Sequence, residues 1–574
     1  MKYTLTGAVL LAVTSWSQAD ITIAEIAPKN TVFVAGTNNM QMMVDQAKAS
    51  GLMDIWEDER LKKMRDQMTE QVLDGMSEFK DKMDIEEMPP WPNGAVGIAV
   101  FSVTDPETGF TDPGLMAYAN YSGDAMAPAK EMLDKLIETA QQDGHLKVED
   151  SDLAGADVRI LRPVNPGEMQ DLEAVYLYDQ DGHFLAGTDS ESVAQAIEVI
   201  GGGDLEMLSS DSNYQGVQEM VGAKGGYAYM MMPAFWNWVA SMDTTGMFFM
   251  MQPTIDSLVG DLKSVGWSMS MEHGSAMMEG QMAAYMPDGK SGLMSLMGKN
   301  APRGDLPGFV SSNTISVSEM SIDFAGIMPM VQKIIRSSPM LAMQAQDMMT
   351  EWEPRLTKLF GSMGTRVYNV TSATKPYSLD TINSTYALEC KDAQSFETAL
   401  AEIAPMAGMQ PRDFVGNRIY SMGGMMQGGG GFSIGIGGGW VFMGSDQAVE
   451  QGLRSAGNAD AGSLSTNANF RTAIAVLPGD SFCAWSYTEL VEYVEVMSVE
   501  IRESQKMMLD QIRQFDPEGA DEMAREMAED DPMQQMDMEL LREYFGAVVS
   551  DFKSVDNGFV GKFYVLPGTK RQQG

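Results

Sequence analysis

The chain has 574 residues, 44% of them hydrophobic and 21% charged, and its 80 acids outweigh 39 bases for a formal charge of −41 at pH 7. That apolar content fits a globular core rather than an acidic disordered chain, and the length points to two or more domains. So negative a field disfavours nucleic acid and anionic lipid as partners, and two cysteines, Cys390 and Cys483, are too few for a disulfide framework.

The first nineteen residues carry one basic residue, Lys2, an apolar run at 7–13 and a small-x-small site at Ser17-Gln18-Ala19. This is the pattern of a secretory signal peptide, too short and too interrupted for a membrane anchor. Cleavage after Ala19 makes Asp20 the first mature residue, takes the formal charge to −42 and places the protein outside the cytoplasm, periplasmic or extracellular, with no remaining membrane span.

Pro28, the apolar Val32-Phe33-Val34, a helix at 40–49 and then Trp56-Glu57-Asp58-Glu59 follow in turn. This succession resembles a family of exported bacterial proteins, of planctomycete type, classed only as a domain of unknown function. The resemblance implies an exported, modular α+β protein and brings no catalytic residues with it. Leu61, Met64, Met68, Val72, Met76, Phe79 and Met83 then recur every three or four residues, the stripe of a long helix over 52–86. Such a stripe is ordinarily a core face, and its methionines would also suit a partner-binding groove.

Beyond Pro89, the chain reads as strands at 96–103 and 115–121, a helix at 127–142, a strand at 157–161, a hairpin at 174–189 and a helix at 190–200. The hairpin recurs in outline at 431–446: each leads through a Gly-containing turn to an apolar return strand ending Gly-Thr-Asp or Gly-Ser-Asp, a helix start. Around the second hairpin lie a strand at 385–390, a helix at 395–406, a strand at 418–422 and a helix at 447–455. From Gly187 to Tyr214 is 27 residues and from Gly444 to Phe470 is 26. Tyr227-Ala-Tyr229 then answers Phe482-Cys-Ala-Trp485, and Asp261-x-Lys-Ser-Val265 answers Asp551-x-Lys-Ser-Val555.

These matches, in one order, predict an α+β fold of two tandem copies, each an antiparallel sheet packed with helices. The modules span 20–300 and 301–574, with the seam in the polar stretch 299–304. Residues 225–242 are uncharged but interrupted by Pro233 and Asn237, so they are expected as a buried strand and helix. An acidic, Met-rich helical insertion at 498–538, broken at Asp516-Pro517 and Asp531-Pro532, distinguishes the second module.

Several motifs were weighed for chemistry. Gly431-Phe-Ser433-Ile-Gly435 fits a nucleophile elbow in letters only, because His145, His183 and His273 all precede it and its counterpart is Tyr176. The glycines at 428–431 and 437–439 lack the Lys-Ser/Thr of a phosphate loop, and Asp179-Gln-Asp181-Gly182 lacks the distal ligands of a calcium loop. Cys390 and Cys483 both fall in predicted strands, open to one bridge or to two unpaired thiols.

One constellation has ligand character. Period-two alternation puts Trp267, Met269, Met271 and His273 on one strand face, and thioethers with imidazole suit Cu(I). A face packed into the core is the competing expectation, since the chain has 53 methionines and Phe559 and Phe563 stand for Met269 and His273 if the Asp-x-Lys-Ser-Val matches are aligned. The sequence thus reads as an exported binding or scaffolding protein with no cofactor and an unidentified protein or envelope partner. Its alternatives are a soft-metal protein using Met269, Met271 and His273, and a hydrolase relying on carboxylates alone.

Overall fold

The computed structural model describes residues 21–61, 92–104, 111–164, 173–222, 225–243, 246–271, 276–337, 339–422, 431–456, 462–479, 481–529 and 537–569. The expected signal peptide, the methionine stripe at 64–83 and His273 lie outside them. The chain divides into two compact units, residues 1–249 with 262–287, and residues 250–261 with 288–574, so the main division falls ahead of the 299–304 stretch.

In the first unit ten strands form one antiparallel sheet: β1 (Thr31–Thr37), β2 (Val96–Thr104), β3 (Thr111–Asn120), β4 (Leu146–Leu153), β5 (Ala156–Pro163), β6 (Val175–Gln180), β7 (His183–Gly187), β8 (Gly226–Met231), β9 (Ser264–Ser270) and β10 (Met278–Tyr285). Their order across the sheet is β10-β9-β8-β1-β2-β3-β7-β6-β5-β4. Helices fill the connections: α1 (Ile23–Ile26) before β1, α2 (Met40–Ser50) and α3 (Leu52–Glu57) after it, α4 (Met126–Gln142), α5 (Ser190–Ile200), α6 (Ser212–Val221) and α7 (Met232–Met242), followed by α8 (Met247–Val259), whose residues from Met250 onward are counted with the second unit.

In the second unit the strands are β11 (Thr314–Ser321), β12 (Met363–Ala373), β13 (Ile382–Cys390), β14 (Gln410–Phe414), β15 (Asn417–Met422), β16 (Phe432–Gly437), β17 (Trp440–Ser445), β18 (Ala484–Glu489), β19 (Phe545–Val555) and β20 (Gly558–Pro567). Their order is β20-β19-β18-β11-β12-β13-β17-β16-β15-β14, the order of the first unit with ten added to each label. The helices are α9 (Ile327–Ser337), α10 (Pro339–Gly361), α11 (Ala393–Ile403), α12 (Asp446–Ala456), α13 (Ala468–Ile474), α14 (Leu490–Arg513), α15 (Pro517–Glu529) and α16 (Met538–Tyr544). The fold class is α+β.

Local chemistry explains the repeated parts. Both hairpins turn through two residues at positive φ, Asp181-Gly182 at 51° and 82° and Gly438-Gly439 at 60° and 82°, the geometry that matches strand twist. Asp189 caps α5 by accepting from the Ser192 amide at 2.8 Å. Along α4, Ala129, Leu133, Leu136, Ile137 and Ala140 form a stripe that packs onto Leu161, Val175, Leu177 and Phe184. In the second unit Phe396 and Leu400 of α11 meet Val367, Tyr420, Ile436 and Val441 in the same way.

Cross-strand pairing relates positions in the two sheets by their place in the strand order. Val34 pairs with Ala99 and Tyr229, and Val317 pairs with Val370 and Tyr487, which makes Tyr229 the counterpart of Tyr487 and Tyr227 that of Trp485. The match of Tyr227-Ala-Tyr229 to Phe482-Cys-Ala-Trp485 therefore slips by two residues or more. The Asp-x-Lys-Ser-Val match is a coincidence: Ser264 opens β9, while Ser554 stands near the end of β19. Since Tyr229 faces Gly266 and Tyr487 faces Val549, the counterpart of Met269 is Phe552.

Two further expectations change. The helix expected over 52–86 is interrupted at its start, because α3 stops at Glu57 with Asp58 extended (ψ 121°). Residues 225–242 do form a strand and a helix, but the helix is half-buried rather than core: within α7 Met232 is buried, Pro233, Asn237 and Met242 are exposed and the rest lie between.

Candidate functional site

The described part of the Met/His strand face, from Trp267 to Met271, is partly exposed. Along β9, Gly266 and Ser268 point beneath α6, where a Cβ on Gly266 would come within 2.7 Å of Val217 and the Ser268 hydroxyl donates to the Val221 carbonyl at 3.0 Å. Alternation then turns Trp267 outward, 36% exposed, with Met269 and Met271 partly exposed. Helix α2 approaches this face. The Met271 amide donates to Gln46 Oε1 at 3.4 Å, and a Cβ on Gly226 would meet the Met43 methyl at 3.3 Å and the Met269 methyl at 3.8 Å. Met43 and Met269 thus bring two thioethers over one glycine, an addition from α2 that strand alternation could not reveal.

The other sequence motifs resolve into architecture. Ser433 sits fully buried within β16, 2.8 Å from the Ser421 hydroxyl, and donates to Asp446, whose carboxylate also receives Arg412 at 3.1 Å. Burial alone would raise the Asp446 carboxyl, but the bonds from Ser433, Ser421 and Arg412 hold it below its ordinary value, so it is an ion-pair anchor and leaves no base for the serine. Asp179 accepts from Lys130 at 2.6 Å and Arg159 at 2.7 Å, which commits it to lysine and arginine rather than calcium. Cys390 and Cys483 are free, buried thiols, both pushed upward by burial. Among the described residues no group of three or more His, Cys, Asp or Glu side chains could hold a metal ion.

The carboxylate reading bears on one row of the second sheet, where Tyr368, Glu319, Trp485 and Asp551 stand side by side on β12, β11, β18 and β19. Glu319 accepts from Tyr368 at 2.7 Å, Trp485 Nε1 at 2.9 Å and Arg366 Nε at 2.8 Å. Asp551 is buried, with Lys553 at 3.6 Å. The buried Trp485 indole separates the two carboxylates, and neither lines the clefts described next. The same row in the first unit is Gly97, Gly36, Tyr227 and Ser268. There the bare glycines admit α1, whose Ile23 would lie 2.3 Å from a Cβ on Gly97.

Each unit has a cleft at the foot of the helix that follows its eighth strand. In the first, about 380 Å³ is lined by Lys29, Asp211, Asn213, Pro233 and Asn237, among others. In the second, about 310 Å³ is lined by Asn469, Thr472, Glu489, Glu492 and Arg542, among others. Its charges are internally matched: Arg542 binds Glu492 at 2.9 Å and Glu539 at 2.6 Å, and Lys375 binds Glu492 at 3.0 Å. Burial would raise the Glu492 carboxyl, yet Tyr377, Lys375 and Arg542 hold it below its ordinary value.

The helical connections that follow these strands carry several exposed apolar side chains. In the second unit, α14 and α15 form a hairpin that buries Ala520. Ile501, Met508 and Phe515, 44%, 40% and 89% exposed, stand seven residues apart along it, with Glu503, Asp510 and Asp516 close by in the chain. Sevenfold spacing puts Ile501 and Met508 on one stripe of α14, while Phe515 stands in the turn beyond its end at Arg513. No family model, curated protein or solved structure matches the chain.

Proposed function

We propose that this is an exported protein that works by binding or scaffolding rather than catalysis, and that the Ile501-Met508-Phe515 stripe of the α14–α15 hairpin is its main contact with a protein partner in the cell envelope. The observation that carries this reading is a run of exposed apolar side chains in an acidic arm, Ile501 and Met508 seven residues apart on α14 and Phe515 in the turn before α15. Methionine and phenylalanine on such a stripe adapt to a groove, and the surrounding acids favour a partner whose groove has a basic rim. The matching strand order of the two units supports an origin by duplication, and the amino-terminal pattern supports membership of the exported family described above.

The test is capture of a crosslinked partner from the native envelope by the tagged chain and by a variant with Ile501→Ser, Met508→Ser and Phe515→Ser. A stoichiometric partner that the variant loses, with unfolding of the variant unchanged, supports the reading. Equal capture by both chains contradicts it.

A soft-metal function is favoured by a separate observation, the approach of Met43 to Met269 at Gly226. Titration of the reduced protein with Cu(I) against a competing chelator tests it. Stoichiometric binding lost in Met43→Leu and Met269→Leu supports a site, and binding indifferent to both substitutions removes it.

A further inference from the structure

On one face of the second sheet, period-two alternation separates apolar ends from a polar middle. On β12 that face carries Val367, Asn369, Thr371 and Ala373, and on β13 it carries Leu388, Tyr386, Ser384 and Ile382. Both ends are covered. Ala373 and Ile382 pack with Val496 of α14, and Val367 belongs to a core cluster against which Ile327 of α9 and Phe360 of α10 pack. Between them the Tyr386 side chain is 54% exposed, with Asn369 and Ser384 exposed beside it. The row through Tyr386 and Asn369 continues across the strands to Ser318, Ser486 and Ser550, all half-buried.

We infer that this strip of the second sheet binds an uncharged glycan, with one sugar ring against Tyr386 and the sugar hydroxyls bonded to the row of serines. Hydroxyls on the strip stand in cross-strand pairs, Ser486 with Ser550 at 2.7 Å, Ser316 with Thr488 at 2.8 Å and Thr371 with Ser384 at 3.3 Å. Each pair uses one hydrogen internally and leaves a second, with lone pairs on both oxygens, so the strip both donates and accepts as a sugar's own hydroxyls do. A tyrosine ring adds a rigid apolar face for the C–H side of a sugar at little loss of side-chain freedom. Neither row, from Ser550 to Tyr386 or from Thr488 to Ser384, holds a charged residue, in a chain that is 21% charged, so a charged ligand would find no counter-charge within them. The equivalent row of the first sheet is Trp267, Ala228, Ala35, Ile98 and Ala117. One strand order accepts either chemistry, so folding does not require the hydroxyls, and their concentration on the second sheet answers to what meets it from solvent.

The experiment is calorimetric titration of the purified chain with maltohexaose, cellohexaose and N-acetylchitohexaose, and with hexagalacturonate as the acidic comparison. The expected result is saturable binding of at least one neutral hexasaccharide and none of hexagalacturonate. Tyr386→Ala, altered at an exposed position, should weaken that binding at least tenfold with unchanged thermal unfolding, while Tyr386→Phe should keep it. Ser318→Ala with Ser486→Ala should also weaken it. No saturable binding of any neutral hexasaccharide, binding unaltered in Tyr386→Ala or in the double serine variant, or preference for hexagalacturonate would overturn the inference. The Ile501→Ser, Met508→Ser, Phe515→Ser chain should bind the hexasaccharide as the parent does, which keeps this outcome separate from that of the arm's protein contact. Loss of binding in that chain would move the site to the arm and overturn the inference as well.

Discussion

Tyr214 meets Tyr229 edge to face with ring centroids 5.0 Å apart, and Phe470 meets Tyr487 in the same way at 5.0 Å. In each unit the first ring belongs to the short helix after a 3₁₀ turn. An Asp211 or Asn467 side chain caps that helix, and the second ring belongs to the strand beneath. Truncation of Tyr229 or Tyr487 to Ala should each remove about 3–5 kcal/mol of stability. Among the described residues the Tyr229 hydroxyl is buried without a hydrogen-bond partner, so Tyr229→Phe should be neutral or stabilising. Chemical denaturation checks both, and a loss above about 1 kcal/mol in Tyr229→Phe would show that the hydroxyl is used.

Asp551 is predicted to be a liability at neutral pH. Burial raises its carboxyl above the ordinary 3.8, with Lys553 and Lys562 only partly opposing. A raised carboxyl takes up its proton more readily when folded, so stability falls as pH climbs from the ordinary value through the folded one. Asp551→Asn should gain about 1 kcal/mol at pH 7 and nothing below the ordinary value. Thermal unfolding across pH tests this, and destabilisation by the substitution at pH 7 would show that the Lys553 pair dominates.

Glu492 carries the opposite sign. Its carboxyl lies below the ordinary value of 4.5 because bonds from Tyr377, Lys375 and Arg542 outweigh burial. Its contribution is fully present above that value and is lost as pH falls through the folded one. Glu492→Gln should cost about 1–2 kcal/mol at pH 7, with the two proteins converging in acid. A pH-independent difference would mean that packing, not charge, holds α14 at its base.

Much of the repeated frame was legible in the sequence, because hairpin turns, helix caps and strand alternation are local signals. Asp181-Gly182 and Gly438-Gly439 announced the same turn, and Asp189 announced the helix after it. Register was less legible. The similar letters at Asp261 and Asp551 fall at opposite ends of equivalent strands, and only the pairing of Tyr229 with Gly266 and of Tyr487 with Val549 corrects them. Burial of particular faces also depended on partners remote in sequence. α6 covers Gly266 and Ser268 and so turns Trp267 outward, while α7, apolar enough to read as core, is half-buried. Row-for-row chemistry had no sequence signal, since Glu319 replaces Gly36 without altering the strand pattern around it.

Binding of a partner by the acidic arm through Ile501, Met508 and Phe515 is open to photocrosslinking from an amino acid placed at position 515. With the probe at 515 in the native envelope, the account predicts one dominant crosslinked species, absent when the probe is moved to exposed Val415 on the β14–β15 turn and abolished by Ile501→Ser with Met508→Ser. No crosslink at 515, or the same species from 415, would contradict it.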